Sequence, residues 1–247
     1  MTTIEAADLH CTFPDGTKAL QGINAVFKKG SFTVICGKNG SGKSVFIRHL
    51  NGLIRPTKGK VLIDGRDIFK NLSETRRTVG MVFQDADSQI VGQTAWQDAA
   101  FGPKNLRLNK DEVRRRVSEA LGEMNLLDRK DDRPHQFSGG EKRRLAIAGI
   151  LAMDSPLLVF DEPFSNLDYP AVRQVLEHIV ALHRKGHTII LVTHDLSRVL
   201  AHADRVLIMS DGKISSDTGP AEALDKLEQH GIRRPAEKKV ADMSWLK

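Results

Sequence analysis

The sequence predicts an α/β fold: parallel strands joined by crossover helices, with an antiparallel β layer added and a helical subdomain inserted. Three observations carry that prediction. A glycine-rich loop sits between a strand and a helix, apolar strands alternate with a helix after residue 155, and the intervening stretch turns helical in composition.

The loop is Gly37-Lys38-Asn39-Gly40-Ser41-Gly42-Lys43-Ser44, which meets the P-loop pattern of Gly, four free positions, Gly, Lys and Ser/Thr. Ser31 to Cys36 before it is apolar and β-branched like a buried strand, and Val45 to Leu50 continues as a helix. Glycines let successive backbone N–H groups face one anion, and the helix dipole points its positive end at the same place. Lys43 then reaches the β- and γ-phosphates of a triphosphate, and the Ser44 hydroxyl suits Mg²⁺. The core is therefore expected to be that of a P-loop NTPase.

The remaining elements follow in order. Ile4 to Thr12 and Leu20 to Lys28 flank the turn Pro14-Asp15-Gly16 as an antiparallel hairpin, and Gly59 to Gly65 repeats the strand and Asp-Gly signal. Val79 to Phe83 is a short apolar strand ending at polar Gln84. In the helical stretch, Thr94 and Asn109 are placed as N-caps, Val113, Val117, Ala120 and Leu121 line one side of a helix, and Gly102-Pro103 breaks the chain between them. Ser138-Gly139-Gly140 opens a further helix. Leu157 to Phe160, a helix from about Ala171 to Lys185, and Thr188 to Thr193 restore the core, and Arg205 to Ser215 turns at Ser210-Asp211-Gly212. The expected division is 1–85 and 155–217 as core with β layer, 86–154 as helical subdomain, and 218–247 as a short helix and partly disordered tail.

Composition bounds the function. The chain has 247 residues, 40% of them hydrophobic, enough for a sizeable core. Without a run of roughly 20 apolar residues or a basic, then apolar, leader, it is expected to stay in the cytosol. Cys11 and Cys36 fall in predicted strands and are expected as buried thiols. The net charge of +6 suits nucleic acid or an anionic membrane, yet the basic clusters 114–116, 142–144 and 233–234 read as solvated faces.

Two carboxylates, Asp161 and Glu162, follow the strand Leu157 to Phe160, at the sheet edge where open α/β folds bind ligands. Asp161 suits an outer-shell Mg²⁺ role and Glu162 a water polarised toward the γ-phosphate. His194 follows the next strand in the same way. Ser138-Gly139-Gly140-Glu141 offers a second anion-binding helix start, economically explained if it serves the nucleotide of a second subunit.

Together these motifs resemble the ATP-binding cassette (ABC) ATPases from Phe13 to about Ser215. The resemblance implies that Phe13, Gly37, Asn39, Gly40, Ser41, Gly42, Lys43, Ser44 and Val45 bind ATP. It makes Ser44, Gln84 and Asp161 the Mg²⁺ residues, Glu162, His194 and Gln84 catalytic, and Ser138, Gly139 and Gly140 the signature motif closing on a partner subunit's ATP. The D-loop would be Ser165-Asn166-Leu167-Asp168. Phe13 fits adenine stacking or ordinary core. The chain departs from the family pattern at Val45 (commonly Thr), Phe137 (Leu), Glu141 (Gln) and Asn166 (Ala), none of which removes a phosphate-contacting Ser or Gly.

Phe83 to Val91, with Asp98 to Pro103, is similar to the ATPases of energy-coupling factor and cobalt/nickel importers, with Ala86 in place of their Pro. That resemblance implies ATP hydrolysis driving import of a vitamin or transition-metal ion, a second cassette of the same or a paralogous chain, separate integral membrane subunits, and a peripheral place on the cytoplasmic membrane face. Direct nucleic-acid binding is not expected. Ile90, Val91 and Trp96 fit either a docking groove for a membrane subunit or the subdomain core. A soluble cassette acting on nucleic acid or ribosomes is the main rival, and a cassette that binds ATP without hydrolysing it is a third reading.

Overall fold

A computed structural model describes residues 3–246. Two sheets organise it. The first is antiparallel, with order β2-β1-β4-β5: β1 (Ile4–Thr12) pairs with β2 (Lys18–Phe27) and with β4 (Lys58–Ile63), and β5 (Arg66–Asp67) closes the edge. This is the expected β layer, and alternation along β1, reset by an irregularity at Asp8 (φ +47°), puts Ile4 and Ala6 and then Leu9 and Cys11 on its buried face.

The second sheet has order β10-β9-β3-β8-β7-β6. β3 (Phe32–Gly37), β6 (Val79–Val82), β7 (Leu157–Asp161), β8 (Thr188–Val192) and β9 (Arg205–Ser210) run parallel, and β10 (Lys213–Thr218) returns antiparallel to β9. β3, β6, β7 and β8 are buried throughout, which is why each reads as a continuous apolar run. Alternate side chains still divide between two cores. In β7, Leu157 and Val159 meet the β layer and α1 (Lys43–Leu50), while Leu158 and Phe160 meet the helices on the other face.

Those helices carry the expected caps. The Thr94 hydroxyl accepts from Gln97 N at 3.2 Å to start α3 (Ala95–Ala99), and Asn109 Oδ1 accepts from Glu112 N at 2.9 Å to start α5 (Lys110–Glu123). The break between them falls at Ala100, so Gly102-Pro103 lies inside α4 (Phe101–Asn105). Proline is tolerated there because first-turn N–H groups lack intrahelical acceptors. α6 (Gly139–Ala152) opens with a capping box between Ser138 and Glu141, and α7 (Tyr169–Arg184) is capped by Asp168.

Three further expectations were settled by packing. The 142–144 cluster is not a solvated face. Arg143 and Arg144 are buried, their guanidinium groups taken up by the carbonyls of Phe83, Gln84 and Met124 and by the Gln174 side chain. Ile90 and Trp96 pack against the core, whereas Val91 is exposed. The tail after α8 (Pro220–Lys226), expected to be partly disordered from its charge, folds back: Met243 is fully buried and its carbonyl accepts from Ala201 N at 3.0 Å. Trp245 contacts the Tyr169 ring at 5.1 Å and the Arg198 guanidinium at 4.5 Å. Both cysteines are free and buried as expected, and burial pushes the Cys36 thiol up to about 12.

Candidate active site

β3, β8, β7 and β6 are neighbours, and their C-terminal ends deliver Gly37, His194, Asp161 with Glu162, and Gln84 to one edge. A cavity of about 740 Å³ opens there. Its walls include Asn39, Gly40, Gly42, Lys43, Ser44 and Val45, faced by Gln84, Glu162 and His194. Phe13 is 37% exposed and stands in the wall, so it is not ordinary core; hydrogen bonds Phe13 N to Thr17 O (2.9 Å) and Gly16 N to Phe13 O (2.9 Å) hold its turn.

The loop conformation depends on glycine. Gly42 has φ +97° and a Cβ there would lie 2.6 Å from Ala19 O; Gly37 is packed so closely that a Cβ would lie 2.3 Å from Met209 O. Lys43 is buried, and its ammonium donates to Gly37 O at 2.8 Å and Lys38 O at 2.9 Å. Burial holds its pKa below the ordinary lysine value, opposed by the nearby Glu162, Cys36 and Asp161. The Ser41 hydroxyl is buried with no hydrogen-bond partner. A loop with an unpaired buried hydroxyl and an ammonium turned on its own carbonyls fits an anion that would engage both.

The Ser44 hydroxyl donates to Asp161 Oδ1 at 3.1 Å. Asp161 is almost wholly buried, which raises its pKa, while the Ser44 bond, Arg48, Lys43 and Arg143 pull it back. One hydroxyl beside one carboxylate, with Gln84 across the cavity, is a donor set that suits Mg²⁺ shared with substrate phosphates. No cluster of three or more His, Cys, Asp or Glu able to hold a metal alone occurs among the described residues.

Glu162 sits at φ +46°, its N–H bonded to Val192 O at 3.0 Å, and its Oε2 lies 2.9 Å from His194 Nδ1. A carboxylate aimed into a cavity with an imidazole on it can hold a water and take its proton. Ser138, Gly139 and Gly140 are not brought to this cavity. They start α6 beside the turn before α7, where a Cβ on Gly139 would meet Leu167 at 3.2 Å and one on Gly140 would meet Ala171 at 2.8 Å.

Two contributions were missed from sequence. Arg143 grips the carbonyls of Phe83 and Gln84, tying α6 to the strand end that presents Gln84. Thr17, Lys18 and Ala19, together with Gly231, Ile232 and Arg233 from the tail, complete the walls. Lys18 follows the turn after Phe13 and was accessible to inspection; nothing local marks the tail residues.

A model of the ABC transporter family matches residues 20–165. The energy-coupling factor transporter ATP-binding protein EcfA of Methanocaldococcus jannaschii is 46% identical over 231 residues, covering 92% of this chain and 83% of that protein. Among solved structures, cbiO1 of Clostridium perfringens, part of the cbiONQ transporter complex, superposes with TM-score 0.82 at 35% identity, covering 93% and 94% of the two chains. A dimeric ATP-binding cassette in a post-hydrolysis state with ADP and Pi gives TM-score 0.79 at 28% identity, covering 88% and 98%. Motif geometry, family match and near-complete relatives agree: the chain belongs to the ABC transporter family, as one of its ATP-binding ATPase cassettes.

Proposed function

We propose that the protein hydrolyses ATP to power a membrane importer of the energy-coupling factor type, as one of two cassettes working with separate integral membrane subunits. The carrying observation is that one cavity receives Lys43, Ser44, Gln84, Glu162 and His194 while the signature residues stay outside it. A site so divided is completed by a second cassette, and dimeric cassettes are found among the structural neighbours. The EcfA relatives supply the energy-coupling factor class, and cbiO1 is a subunit of a transporter complex; the sequence's resemblance to that class implies a vitamin or a transition-metal ion as the cargo. No helix among the described residues is long and apolar enough to cross a membrane. That suits a peripheral subunit on the cytoplasmic face.

In this reading Gly37–Ser44 holds the phosphates, with Lys43 exchanging its two carbonyl partners for phosphate oxygens and Ser41 gaining one. Phe13 stacks on the base. Ser44, Gln84 and Asp161 would hold Mg²⁺, and the ion would supply neutralisation of the phosphate charge. Glu162 orients the attacking water and accepts its proton, and His194 holds Glu162 in position. Ser138, Gly139 and Gly140 of the partner cassette cover the γ-phosphate, excluding bulk water.

A second groove, of about 330 Å³, lies between Leu53, Val91, Phe101 and Met153. Three of these are exposed large apolar residues. It adjoins Phe83 and Gln89, next to Gln84, and is the proposed seat of a membrane subunit's cytoplasmic helix. The nucleic-acid reading loses two of its three basic clusters, because Arg115 and Arg116 pair with Glu112 and because Arg143 and Arg144 are buried.

Mixing two inactive variants tests the divided site. Lys43→Ala and Gly139→Asp are each expected to lose turnover, and their mixture to regain part of it, since one interface then pairs an intact loop with an intact signature. No recovery on mixing would rule out pairing between two copies of this chain and require a paralogous cassette as the partner. Recovery of an integral membrane subunit on affinity capture from solubilised native membranes is expected; ribosomal or nucleic-acid partners alone would sink the importer assignment.

A further inference from the structure

The C-terminal segment reaches the nucleotide cavity. After α8, Leu227 is fully buried, and its carbonyl accepts from Ile232 N at 3.0 Å. Gly231 lies between them in the left-handed region at φ +64°, its N–H bonded to Glu228 O at 2.9 Å. This turn seats Ile232 in the main core and lays Gly231 against Lys38, the second residue of the phosphate loop. A Cβ on Gly231 would come within 1.9 Å of Lys38 Cε. Glycine is favoured here by its backbone angle, while the approach is to the flexible end of the Lys38 side chain.

The next residue, Arg233, lines the cavity. Its side chain has no hydrogen-bond or ion-pair partner among the described residues, although neighbouring Arg234 pairs with Asp225 at 3.5 Å and Arg205 with Asp217. The cavity walls carry Lys18, Lys38, Lys43 and Arg233 against a single carboxylate, Glu162. A guanidinium held at the rim by a buried anchor, without a counter-ion and beside a phosphate loop, matches a polyphosphate in geometry and charge.

We propose that Arg233 is a nucleotide-binding residue, its guanidinium donating to the phosphate oxygens of the ATP held by Gly37–Ser44. This deepens the nucleotide reading above and rests on it. The tail is then a fourth wall of the site, fixed by Ile232 on one side and answering to the charge of the bound nucleotide on the other.

The test is calorimetric titration of the full chain with ATP, ADP and AMP in magnesium chloride. Arg233→Ala is expected to weaken ATP binding about fivefold, ADP less, and AMP not at all, since an exposed charge-assisted hydrogen bond is worth about that factor. Arg233→Lys should recover part of the loss, because charge survives while the forked geometry does not. Arg234→Ala, one residue on and outside the cavity, should bind as the wild type does. Wild-type ATP affinity in Arg233→Ala, or an equal proportional loss for AMP, overturns the proposal. Failure of the wild type itself to bind ATP instead overturns the nucleotide reading, so the two failures are distinguishable.

Discussion

The phosphate loop and the signature segment are both glycine-rich and both open a helix, yet they are finished to different degrees. Around Gly37–Ser44 two side chains are held within the chain while a third is left open: Lys43 donates to two carbonyls and Ser44 to Asp161, whereas the buried Ser41 hydroxyl has no partner. At Ser138–Glu141 the capping box satisfies the helix start, but no residue of the nucleotide cavity faces it. Their glycines differ as well. Gly40 and Gly42 have positive φ, whereas Gly139 and Gly140 have helical backbones, Gly139 exposed and Gly140 buried against Ala171. In the function proposed above, the loop is a receptor and the signature a lid for a partner cassette's receptor.

Four variants break or sharpen that contrast. The largest effect belongs to Glu162→Gln, which keeps shape and hydrogen bonding but removes the proton acceptor. Turnover should fall by about 10²-fold or more with ATP binding retained, as read by steady-state hydrolysis and titration. Unchanged turnover would remove Glu162 from the mechanism.

Gly139→Asp should match that loss of turnover while leaving the single chain intact. An acid in the first turn of a helix is favourable, and the nearest obstruction is the flexible end of Leu167. Thermal unfolding within about 0.5 kcal/mol of wild type and unchanged ATP binding by the isolated chain are expected. Equal damage to ATP binding by the isolated chain would erase the distinction between receptor and lid.

Gly40→Ala probes the opposite property. There is open space for the methyl group, but φ is +79°, so the cost is conformational, about 1–2 kcal/mol in unfolding by urea. Stability unchanged in Gly40→Ala would mean that the loop does not need its left-handed backbone.

The smallest effect is expected of Asp98→Asn. The buried Asp98 carboxylate accepts from Val91 N at 2.8 Å and Gly92 N at 2.9 Å, holding the lip of the apolar groove. Burial raises its pKa above the ordinary 3.8, opposed by those two bonds. The folded state therefore binds this proton more tightly than the unfolded state does. Its contribution to stability is full below that ordinary value and is lost as pH rises through the raised one. Asn keeps the acceptor without the charge, so its stability relative to wild type should rise between acidic and neutral pH, by less than about 1 kcal/mol. Urea midpoints at the two pH values read the difference; an opposite trend would show that the charged form is the one favoured.

The legible part of the molecule was the part written in short-range chemistry. Gly37–Ser44, the Asp161-Glu162 pair at a strand end, His194 after the next strand and the caps Thr94, Asn109 and Ser138 each announce themselves within a few residues. Phe13, ambiguous between core and base stacking, was settled as cavity wall only by its exposure, and Val91 was separated from Ile90 and Trp96 only by packing. Arg143 and Arg144 look like a solvated basic run, because nothing local shows that carbonyls from other segments wait for them.

The sequence by itself determined the fold class, the phosphate loop and the order of the chemical groups, since strand, turn and helix signals act over spans of a few residues. Only the tertiary structure decided that the tail reaches back to the phosphate loop, that the buried Arg143 ties α6 to the Gln84 strand end, and that the signature stands apart from the cavity. Those outcomes depend on contacts between segments from tens to nearly two hundred residues apart, for which local pattern carries no information.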